Sequence, residues 1–378
     1  MLIRTKVIGI GQAGNKAAIM AVDKGVIRKE DCLLINTTSR DIPTEYKNDA
    51  IIFGDELNGC GKERDIAKTL FVEYTSTNEF FNIITNFFSE EEDDDIQNIA
   101  VVISSTEGGT GSGASIVLSD YINDKLETVT HIIGLLGFED DPKGLENSIN
   151  WLKEVNADDL SVHLIDNKKF LETSVTKQKA EIAANEEICN IINIISGSTI
   201  VESETKNIDS TDLFKIIRTP GYTIVTESDL KGIDSVDDFN SKMRNMVLKC
   251  KSLKSIPKCA ISGIIINCKP QNIAKIDEKF KTVFDTFGNP YEKFYHYQDI
   301  GGEEYIQFIF AGMNMPKEEV QNIIKRYSSE TSKVNFEEDN FTDTFSSFKV
   351  MKPKSSEKKN ILSTLKRKRK PSITTEEL

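Results

Sequence analysis

The chain has 378 residues, 38% of them hydrophobic and 28% charged, and it carries a formal net charge of −13. This profile excludes a collagen-like, mucin-like or wholly disordered chain, and the length allows two domains or one large one. The acidic balance argues against an indiscriminate nucleic-acid coat. No apolar run approaches the ~18 residues that span a bilayer. The first residues enter a strand pattern without a signal peptide, so we expect a cytoplasmic protein.

The cysteines and histidines do not indicate a metal centre. The six cysteines form no C-x-x-C pair, and the three histidines lie far apart in the sequence. Neither a zinc site nor a disulfide framework is therefore predicted, and we expect buried free thiols. The acidic run at residues 90–95 lacks the spacing of a calcium-binding loop, and we interpret it as a solvated loop.

Charge is distributed unevenly along the chain. Residues 352–370 contain nine basic side chains and one acid, a local charge of +8, so the rest of the chain carries −21. Such a tail can bind an acidic surface or DNA phosphates, which the acidic body cannot. Its polar composition predicts disorder in the free protein.

The first two thirds of the chain alternate short apolar runs with segments of helical length. The runs are rich in Ile and Val, which is typical of strands buried on both faces. They are residues 6–10, 32–36, 50–54, 99–105, 131–138 and 161–166, and helices are predicted at residues 15–25, 62–88 and 112–125. This alternation predicts right-handed βαβ units on a mostly parallel sheet, with ligands bound beyond the carboxyl ends of the strands.

The last third has a looser pattern. A buried to amphipathic helix is predicted from about Thr176, with Gly197 as its stop. Strand-like runs follow at residues 222–225, 259–267 and 305–312, and Pro316 begins a further helix. This part of the chain predicts a smaller domain of mixed composition.

The first of two glycine clusters follows the first predicted strand. Gly9, Gly11 and Gly14 form G-x-G-x-x-G between a strand and a helix, the context in which this motif binds a dinucleotide. A NAD enzyme normally ends its second strand with an acid that holds the ribose, whereas this strand ends at Asn36. The loop therefore favours backbone contacts to a phosphate, with tight packing as the structural alternative.

The second glycine cluster is more informative. Residues 107–113 read EGGTGSG after a buried strand, and residues 108–115 have Walker A spacing except that Ala114 replaces the phosphate-binding lysine. What remains is a set of backbone donors at a helix N-terminus, which can bind phosphate without a lysine.

EGGTGSG resembles the glycine-rich signature of the tubulin and FtsZ superfamily of GTPases, and the other motifs occur in that family's order. GIGQAGN (9–15), INTTSRD (35–41) and GDELNGCGKERD (54–65) resemble its first three nucleotide loops. EGGTGSG (107–113) corresponds to the fourth loop, and FEDDPKG (138–144) stands where its fifth, ribose-contacting loop falls. Glu107 replaces the usual first Gly, so its carboxylate must turn away from phosphate or meet a cation.

The resemblance implies binding of GTP or GDP with Mg²⁺, with the guanine edge read by an amide or carboxylate. No side chain is assigned as a metal ligand. The nucleotide-binding residues that it implies are Gly11, Gln12, Ala13, Asn15, Asn36, Gly61, Lys62, Gly108, Gly109, Thr110, Gly111, Ser112, Gly113, Glu139, Asn167 and Asn185.

The resemblance covers about residues 1–315 and implies an α/β fold. The expected parts are a parallel-sheet Rossmann-like GTPase domain, a central helix, a smaller mixed α/β C-terminal domain, a C-terminal helix and a disordered basic tail. We place the GTP-binding domain at residues 1–175, the central core helix at 176–198, the synergy loop and C-terminal activation domain at 199–315, the C-terminal helical extension at 316–350, and the tail at 351–378.

Residues 206–213, KNIDSTDL, resemble the N-x-D-x-x-D synergy loop of the family. The resemblance implies that Asn207, Asp209 and Asp212 reach the GTP of the next subunit and position the attacking water. No monomer would then hold a complete active site, and hydrolysis would require head-to-tail assembly into a filament. A turn or a helix N-cap is the alternative interpretation of these residues.

The basic tail resembles that of the TubZ group of this family, plasmid- and phage-borne partition tubulins whose tail binds TubR, a DNA-binding adaptor on centromere-like DNA. This implies segregation of plasmid or phage DNA through an adaptor bound by Lys366, Arg367, Lys368, Arg369 and Lys370. A solubilising tail and nonspecific DNA contact are the alternatives for the tail. For the whole chain, the alternatives are an FtsZ-like cell-division scaffold, an inert GTP-bound scaffold and a NAD(P)-binding Rossmann oxidoreductase.

Overall fold

The computed structural model describes residues 2–54, 59–89, 96–156, 160–201, 208–232, 235–249, 258–273, 276 and 290–338. Residues up to 332 belong to one compact unit, and residues from 333 onward belong to a second. The strands are β1 (Leu2–Ile10), β2 (Cys32–Asn36), β3 (Ile51–Ile52), β4 (Ile96–Ser105), β5 (Val129–Leu136), β6 (Ser161–Asp166), β7 (Gly221–Asp229), β8 (Ile261–Asn267), β9 (Glu292–Gln298) and β10 (Tyr305–Met313). The α-helices are α1 (Gly11–Asp23), α2 (Arg64–Tyr74), α3 (Asn78–Phe88), α4 (Gly109–Lys125), α5 (Pro142–Val155), α6 (Asn167–Thr173), α7 (Lys177–Ile195), α8 (Ser210–Arg218), α9 (Val236–Lys249) and α10 (Lys317–Glu338).

Within the described ranges the strands form one ten-stranded sheet in the order β3-β2-β1-β4-β5-β6-β7-β10-β8-β9. Every neighbouring pair from β3 to β7 is parallel, β10 is antiparallel to β7 and β8, and β9 is parallel to β8. The predicted α/β class with a mainly parallel sheet and a mixed C-terminal part is confirmed. The boundaries assigned to the individual domains stay a prediction.

Neighbouring residues of the same strand enter two different cores. In β1, Ile8 and Ile10 pack with Phe71 and Ile122, which lie on α2 and α4. Val7, which precedes Ile8, belongs to the other core, with the alanines of α1 and the isoleucines of α7. Because successive strand residues point to opposite faces, helices must cover both sides of the sheet. This burial on both faces is why the strands are continuous apolar runs in the sequence.

The structure differs from the predicted elements in several places, and it contains four helices that were not predicted, α5, α6, α8 and α9. The helix predicted at residues 62–88 is two helices, because the Thr77 hydroxyl accepts a hydrogen bond from the N–H of Phe80 (3.2 Å) and begins α3 separately. The strand predicted at residues 50–54 is only Ile51–Ile52, at the edge of the sheet. The sequence analysis did not predict β9, whose sequence EKFYHYQ mixes charged and aromatic residues without an apolar run.

The predictions for the cysteines can be compared with the structure, whereas those for the acidic run and the basic tail cannot. The described Cys32, Cys60, Cys189, Cys259 and Cys268 are buried free thiols, as expected. The acidic run at residues 90–95 and the basic tail lie outside the described residues. None of the helices in the described part of the chain is long and apolar enough to cross a membrane.

Candidate nucleotide-binding site

Three helices begin at glycine loops without a side-chain cap. The N-cap residues of α1, α2 and α4 are Ile10, Glu63 and Gly108, and none of their side chains accepts a hydrogen bond from the helix. By contrast, α3, α5, α6, α7 and α8 each have a Thr or Asp cap. First-turn N–H groups without a side-chain acceptor, together with the helix dipoles, attract an anion. The uncapped helix starts therefore fit phosphate binding.

The four predicted loops converge at these helix starts. Gly11 has φ +71°, and a Cβ added there would lie 3.1 Å from the backbone N of Gly111, so the first and fourth loops are in close backbone contact. The N–H of Gly109 donates to the carbonyl of Gly61 (3.1 Å), which brings the third loop to α4. The second loop joins through Thr37, whose hydroxyl shares a 2.8 Å hydrogen bond with that of Thr110.

Two buried amides beside the first loop have atoms without a partner. Asn15 donates from Nδ2 to the carbonyl of Ile35 (3.4 Å), while Asn36 accepts from the N–H of Thr37 (2.9 Å). Among the described residues, Asn15 Oδ1 and Asn36 Nδ2 have no hydrogen-bond partner. A buried polar atom is expected to be satisfied, so one acceptor and one donor remain for a polar ligand at this position.

The predicted base-recognition residues lie on two helices that pack together. Asn167 is the first residue of α6 and is half-buried, directly after the α6 cap Asp166. Asn185 is buried on α7, which contacts both α6 and α1. The structure therefore places both amides on elements that adjoin the first nucleotide loop.

Glu107 turns away from the glycine loop. Its carboxylate accepts a hydrogen bond from the N–H of Gly137, at the end of β5, and a Cβ added at Gly137 would lie 1.8 Å from Glu107 Oε2. Burial raises the pKa of Glu107, and the cations Lys62 and Arg326 partly oppose that rise. The extra carboxylate therefore meets cations, which is one of the two arrangements expected for it.

Each of the three consecutive acids of the fifth loop binds a cation from a different element. Glu139 binds Lys177 at the start of α7 (2.6 Å). Asp140 binds Lys168 of α6 (2.6 Å), and Asp141 binds Lys62 of the third loop (2.6 Å). The hydrogen bond from Lys177 lowers the pKa of Glu139. Ion pairs from residues 139–141 thus connect this loop to α6, α7 and the third loop. The predicted nucleotide-binding residue Lys62 is bound to Asp141.

The predicted catalytic acids lie at the opposite end of the sheet. Asp209 is the N-cap of α8 and accepts from the N–H of Asp212 (2.9 Å), and the Asp212 carboxylate faces the N–H of Asp209 (3.4 Å), a capping box. The helix-cap interpretation is therefore correct for their local structure. Asp209 lines a cleft with Arg4 near the start of β1, whereas the nucleotide loops begin after the last residue of β1. Asn207 lies outside the described residues.

The sequence analysis missed one residue that organises this site. Asn147, on α5, donates from Nδ2 to the carbonyl of Lys62 (2.9 Å) and to that of Glu107 (2.9 Å). It thereby joins the third and fourth loops. Asn147 belongs to no motif and has no local signal, since its position depends on how α5 packs against the loops.

Comparison with known proteins gives the class. Residues 4–174 match the family model "Tubulin/FtsZ family, GTPase domain". Residues 4–174 are therefore similar to the GTPase domain of the tubulin/FtsZ family. No curated protein sequence matches.

Several solved structures share this fold at low sequence identity. A GTPγS-form protofilament of TubZ from Bacillus thuringiensis serovar israelensis has a TM-score of 0.73 at 18% identity, over 88% of this chain and 94% of that one. The GTPγS-bound protofilament of CetZ2 from Haloferax volcanii has a TM-score of 0.71 at 19% identity, over 88% and 99%. TubZ of Clostridium botulinum phage c-st has a TM-score of 0.65 at 18% identity, over 88% and 98%. At these identities the likeness establishes the fold.

Proposed function

We propose that this protein is a cytoplasmic, GTP-dependent, filament-forming GTPase that hydrolyses GTP at head-to-tail contacts between its subunits. The proposal is supported by the family of residues 4–174 and by the fold, which TubZ and CetZ protofilaments share. The observation that carries it is the separation of the glycine loops from Asp209 and Asp212.

That separation can be estimated from β1. Arg4, in the cleft with Asp209, lies six residues before Ile10, where the first nucleotide loop begins. At about 3.3 Å per residue this part of the strand spans ~20 Å, much longer than any side chain. Within one subunit, Asp209 therefore lies too far from the glycine loops to act on a phosphate bound there. A second copy stacked along the strand direction would bring its Asp209 and Asp212 to the first copy's loops.

Each part of the chain has a defined role in this proposal. The first turns of α1, α2 and α4 hold the phosphates through backbone N–H groups, and Asn167 and Asn185 read the guanine edge. Asp209 and Asp212 of the next subunit orient the attacking water and accept its proton. Burial raises the pKa of Asp212, which favours proton acceptance at the carboxylate.

Mg²⁺ belongs to the proposal as the partner of the nucleotide. It would neutralise charge on the β- and γ-phosphates when bound. In the described part of the chain no group of three or more His, Cys, Asp or Glu side chains is arranged to hold a metal ion. We therefore propose that phosphate oxygens and water supply most of its ligands, as is usual for this ion.

We further propose that the filament segregates plasmid or phage DNA through a TubR-like adaptor that binds Lys366, Arg367, Lys368, Arg369 and Lys370. The support is the concentration of basic charge in a polar tail that follows an acidic body. The test is electron microscopy and DNA-adaptor pull-down with the full chain and with a chain ending at residue 350. Filaments in both, with adaptor binding only in the full chain, are expected; equal binding by both would refute the role of the tail.

Assembly-dependent hydrolysis is tested by the rate per subunit as a function of protein concentration. The rate should rise steeply above a threshold, since active sites form only at contacts, and a flat rate would refute the filament mechanism. Asp209→Ala and Asp212→Ala should keep GTP binding and polymer while hydrolysis slows by about 10²-fold, as for loss of a general base.

Asparagine variants separate the catalytic role from the helix cap. Asparagine caps a helix as well as aspartate does, and at residue 212 its amide oxygen can still accept from the N–H of Asp209. Asp209→Asn and Asp212→Asn therefore preserve α8 but remove the carboxylate. Slow hydrolysis in these variants with unchanged filaments is the expected result. Thr211→Ala is the matched control, because Thr211 is exposed in the same first turn. Normal turnover in both asparagine variants would defeat the assignment.

A further inference from the structure

Helix α10, which leads to the tail, reaches the nucleotide loops through Arg326. The Nε of Arg326 donates to Oδ1 of Asp140 (2.5 Å), the same oxygen that Lys168 binds. The Arg326 side chain is 23% exposed. One turn earlier on the helix, Ile323 is buried in the hydrophobic core, and Tyr327 packs against that core. The guanidinium is thus held in place by its own helix.

Arg326 also faces the residue by which this chain departs from the glycine-rich signature. The positive charge of Arg326 stabilises the ionised form of Glu107, whose pKa burial raises. Asp140 is similar, since burial opposes its ionisation and the hydrogen bonds from Lys168 and Arg326 lower its pKa. One cation of α10 therefore compensates two carboxylates that belong to two different nucleotide loops.

Such compensation matters more here than at an ordinary surface. Residues 139–141 are three consecutive acids, and the site they surround is proposed to hold a triphosphate, so uncompensated carboxylates would repel the ligand. Lys168 is the other cation on Asp140, and Lys62 is the other one that faces Glu107. Loss of Arg326 would leave each acid with one cation and free the loop from α10.

We infer that Arg326 is a positioning residue of the GTP site, which holds the loop at residues 138–144 through Asp140 and offsets the charge of Glu107. Helix α10 then helps to position the nucleotide loops. The stability of α10 and the affinity of the site for nucleotide therefore depend on each other. Because such coupling is reciprocal, GTP binding stabilises α10 in turn. The inference rests on the proposed binding of GTP at this site.

The alternative is that Arg326 and Asp140 form an ordinary surface ion pair with little effect on nucleotide binding. Isolated surface pairs contribute about 0–1 kcal/mol and are screened by salt. The Arg326 contact differs because it is partly buried, is shared with Lys168 and joins elements distant in sequence. We expect Arg326→Ala to weaken binding of a fluorescent GTP analogue about three- to tenfold, the range for a coupled contact.

The first experiment measures affinity and dissociation rate of fluorescent GTP and GDP analogues, below the assembly threshold, together with the thermal midpoint of the nucleotide-free protein. Arg326→Lys keeps the charge and should restore part of the affinity. Lys325→Ala is the matched control, since Lys325 is the exposed neighbour on α10 and makes no ion pair with any described residue. Equal affinity in Arg326→Ala and wild type would overturn the inference, as would a lower thermal midpoint with unchanged affinity.

A double-mutant cycle and hydrogen exchange supply independent readouts. In an Asp140→Asn background, Arg326→Ala should cause a smaller loss of affinity than in the wild type, and full additivity would contradict direct coupling. GTP should slow amide exchange in residues 317–332 of the wild type but not of Arg326→Ala. If the wild type binds no GTP, the proposed function fails; if it binds GTP and these differences are absent, only the role of Arg326 fails.

Discussion

Replacing Glu319 by glutamine tests how helix α10 is attached to the nucleotide-binding part of the chain. Glu319 lies in the first turn of α10 and is 5% exposed. It faces Asp166, which raises its pKa further, and the cations Arg326 and Lys169, which oppose the rise. Its Oε2 has no hydrogen-bond partner among the described residues. Burial is the main cause that raises the pKa of Glu319 to about 7.

The size of the effect follows from the two pKa values. The pKa of Glu319 is about 7 in the folded state against an ordinary 4.5, and at about 1.4 kcal/mol per pH unit the difference amounts to about 3 kcal/mol. Below pH 4.5 both states are protonated and Glu319 has no effect. Between pH 4.5 and 7 the folded state binds more protons than the unfolded state, so the free energy of unfolding falls as pH rises. Above pH 7 the loss is complete.

Glutamine has nearly the same shape as protonated glutamate, but its side chain does not ionise. Glu319→Gln should therefore raise the free energy of unfolding by about 2–3 kcal/mol at pH 8 and leave it unchanged near pH 4.5. Urea unfolding can be followed by the fluorescence of Trp151, which is the only tryptophan in the sequence and is fully buried. Glu318→Gln is the matched control, since Glu318 is the exposed neighbour. Equal stabilisation at both pH values, or none at pH 8, would refute the reasoning.

Three further predictions concern the site. Gly137→Ala should displace the Glu107 carboxylate, which would lie 1.8 Å from the new Cβ, and destabilise the protein by about 1–3 kcal/mol as overpacking does; thermal unfolding should show Glu107→Gly suppressing this loss. Asn185→Ala should weaken binding of GTP about tenfold or more without affecting the weak binding of ATP, because only guanine recognition loses its amide; equal losses in calorimetry would exclude a base-reading role. Arg64→Ala should lower the free energy of unfolding by about 1–3 kcal/mol, because it removes two charge-assisted hydrogen bonds to Glu154, which keeps its contact with Lys68; denaturant titration measures this change.

The strands and the glycine loops could be predicted because their signals are local. Residues 32–36 and 161–166 are strands with the predicted bounds, since continuous Ile-rich runs are what burial on both faces of a sheet requires. The glycine clusters at the ends of β1 and β4 likewise mark, in the sequence, the places where α1 and α4 begin without a side-chain cap. Thr77 shows the limit of such signals, because the apolar spacing continues through the point where its hydroxyl divides one predicted helix into two.

The ionic contacts of the site could not be predicted in this way. Lys62 binds Asp141, Lys177 binds Glu139 and Arg326 binds Asp140 across 79, 38 and 186 positions of the chain. Each of these cations resembles any other surface lysine or arginine in the sequence. Only the packing of the third loop, α7 and α10 against the fifth loop brings these cations together.

The sequence by itself determined the positions of most strands along the chain, the two glycine clusters and the candidate acids, because these depend on neighbouring residues and on fixed spacing. The tertiary structure decided where the acids lie. In a parallel sheet all the strand-to-helix loops lie at the carboxyl ends of the strands, whereas the packing of α8 places Asp209 near the amino end of β1. The same packing directs Glu107 toward Gly137 and joins α10 to the fifth loop. These positions depend on contacts between residues far apart in the chain, which no local pattern contains.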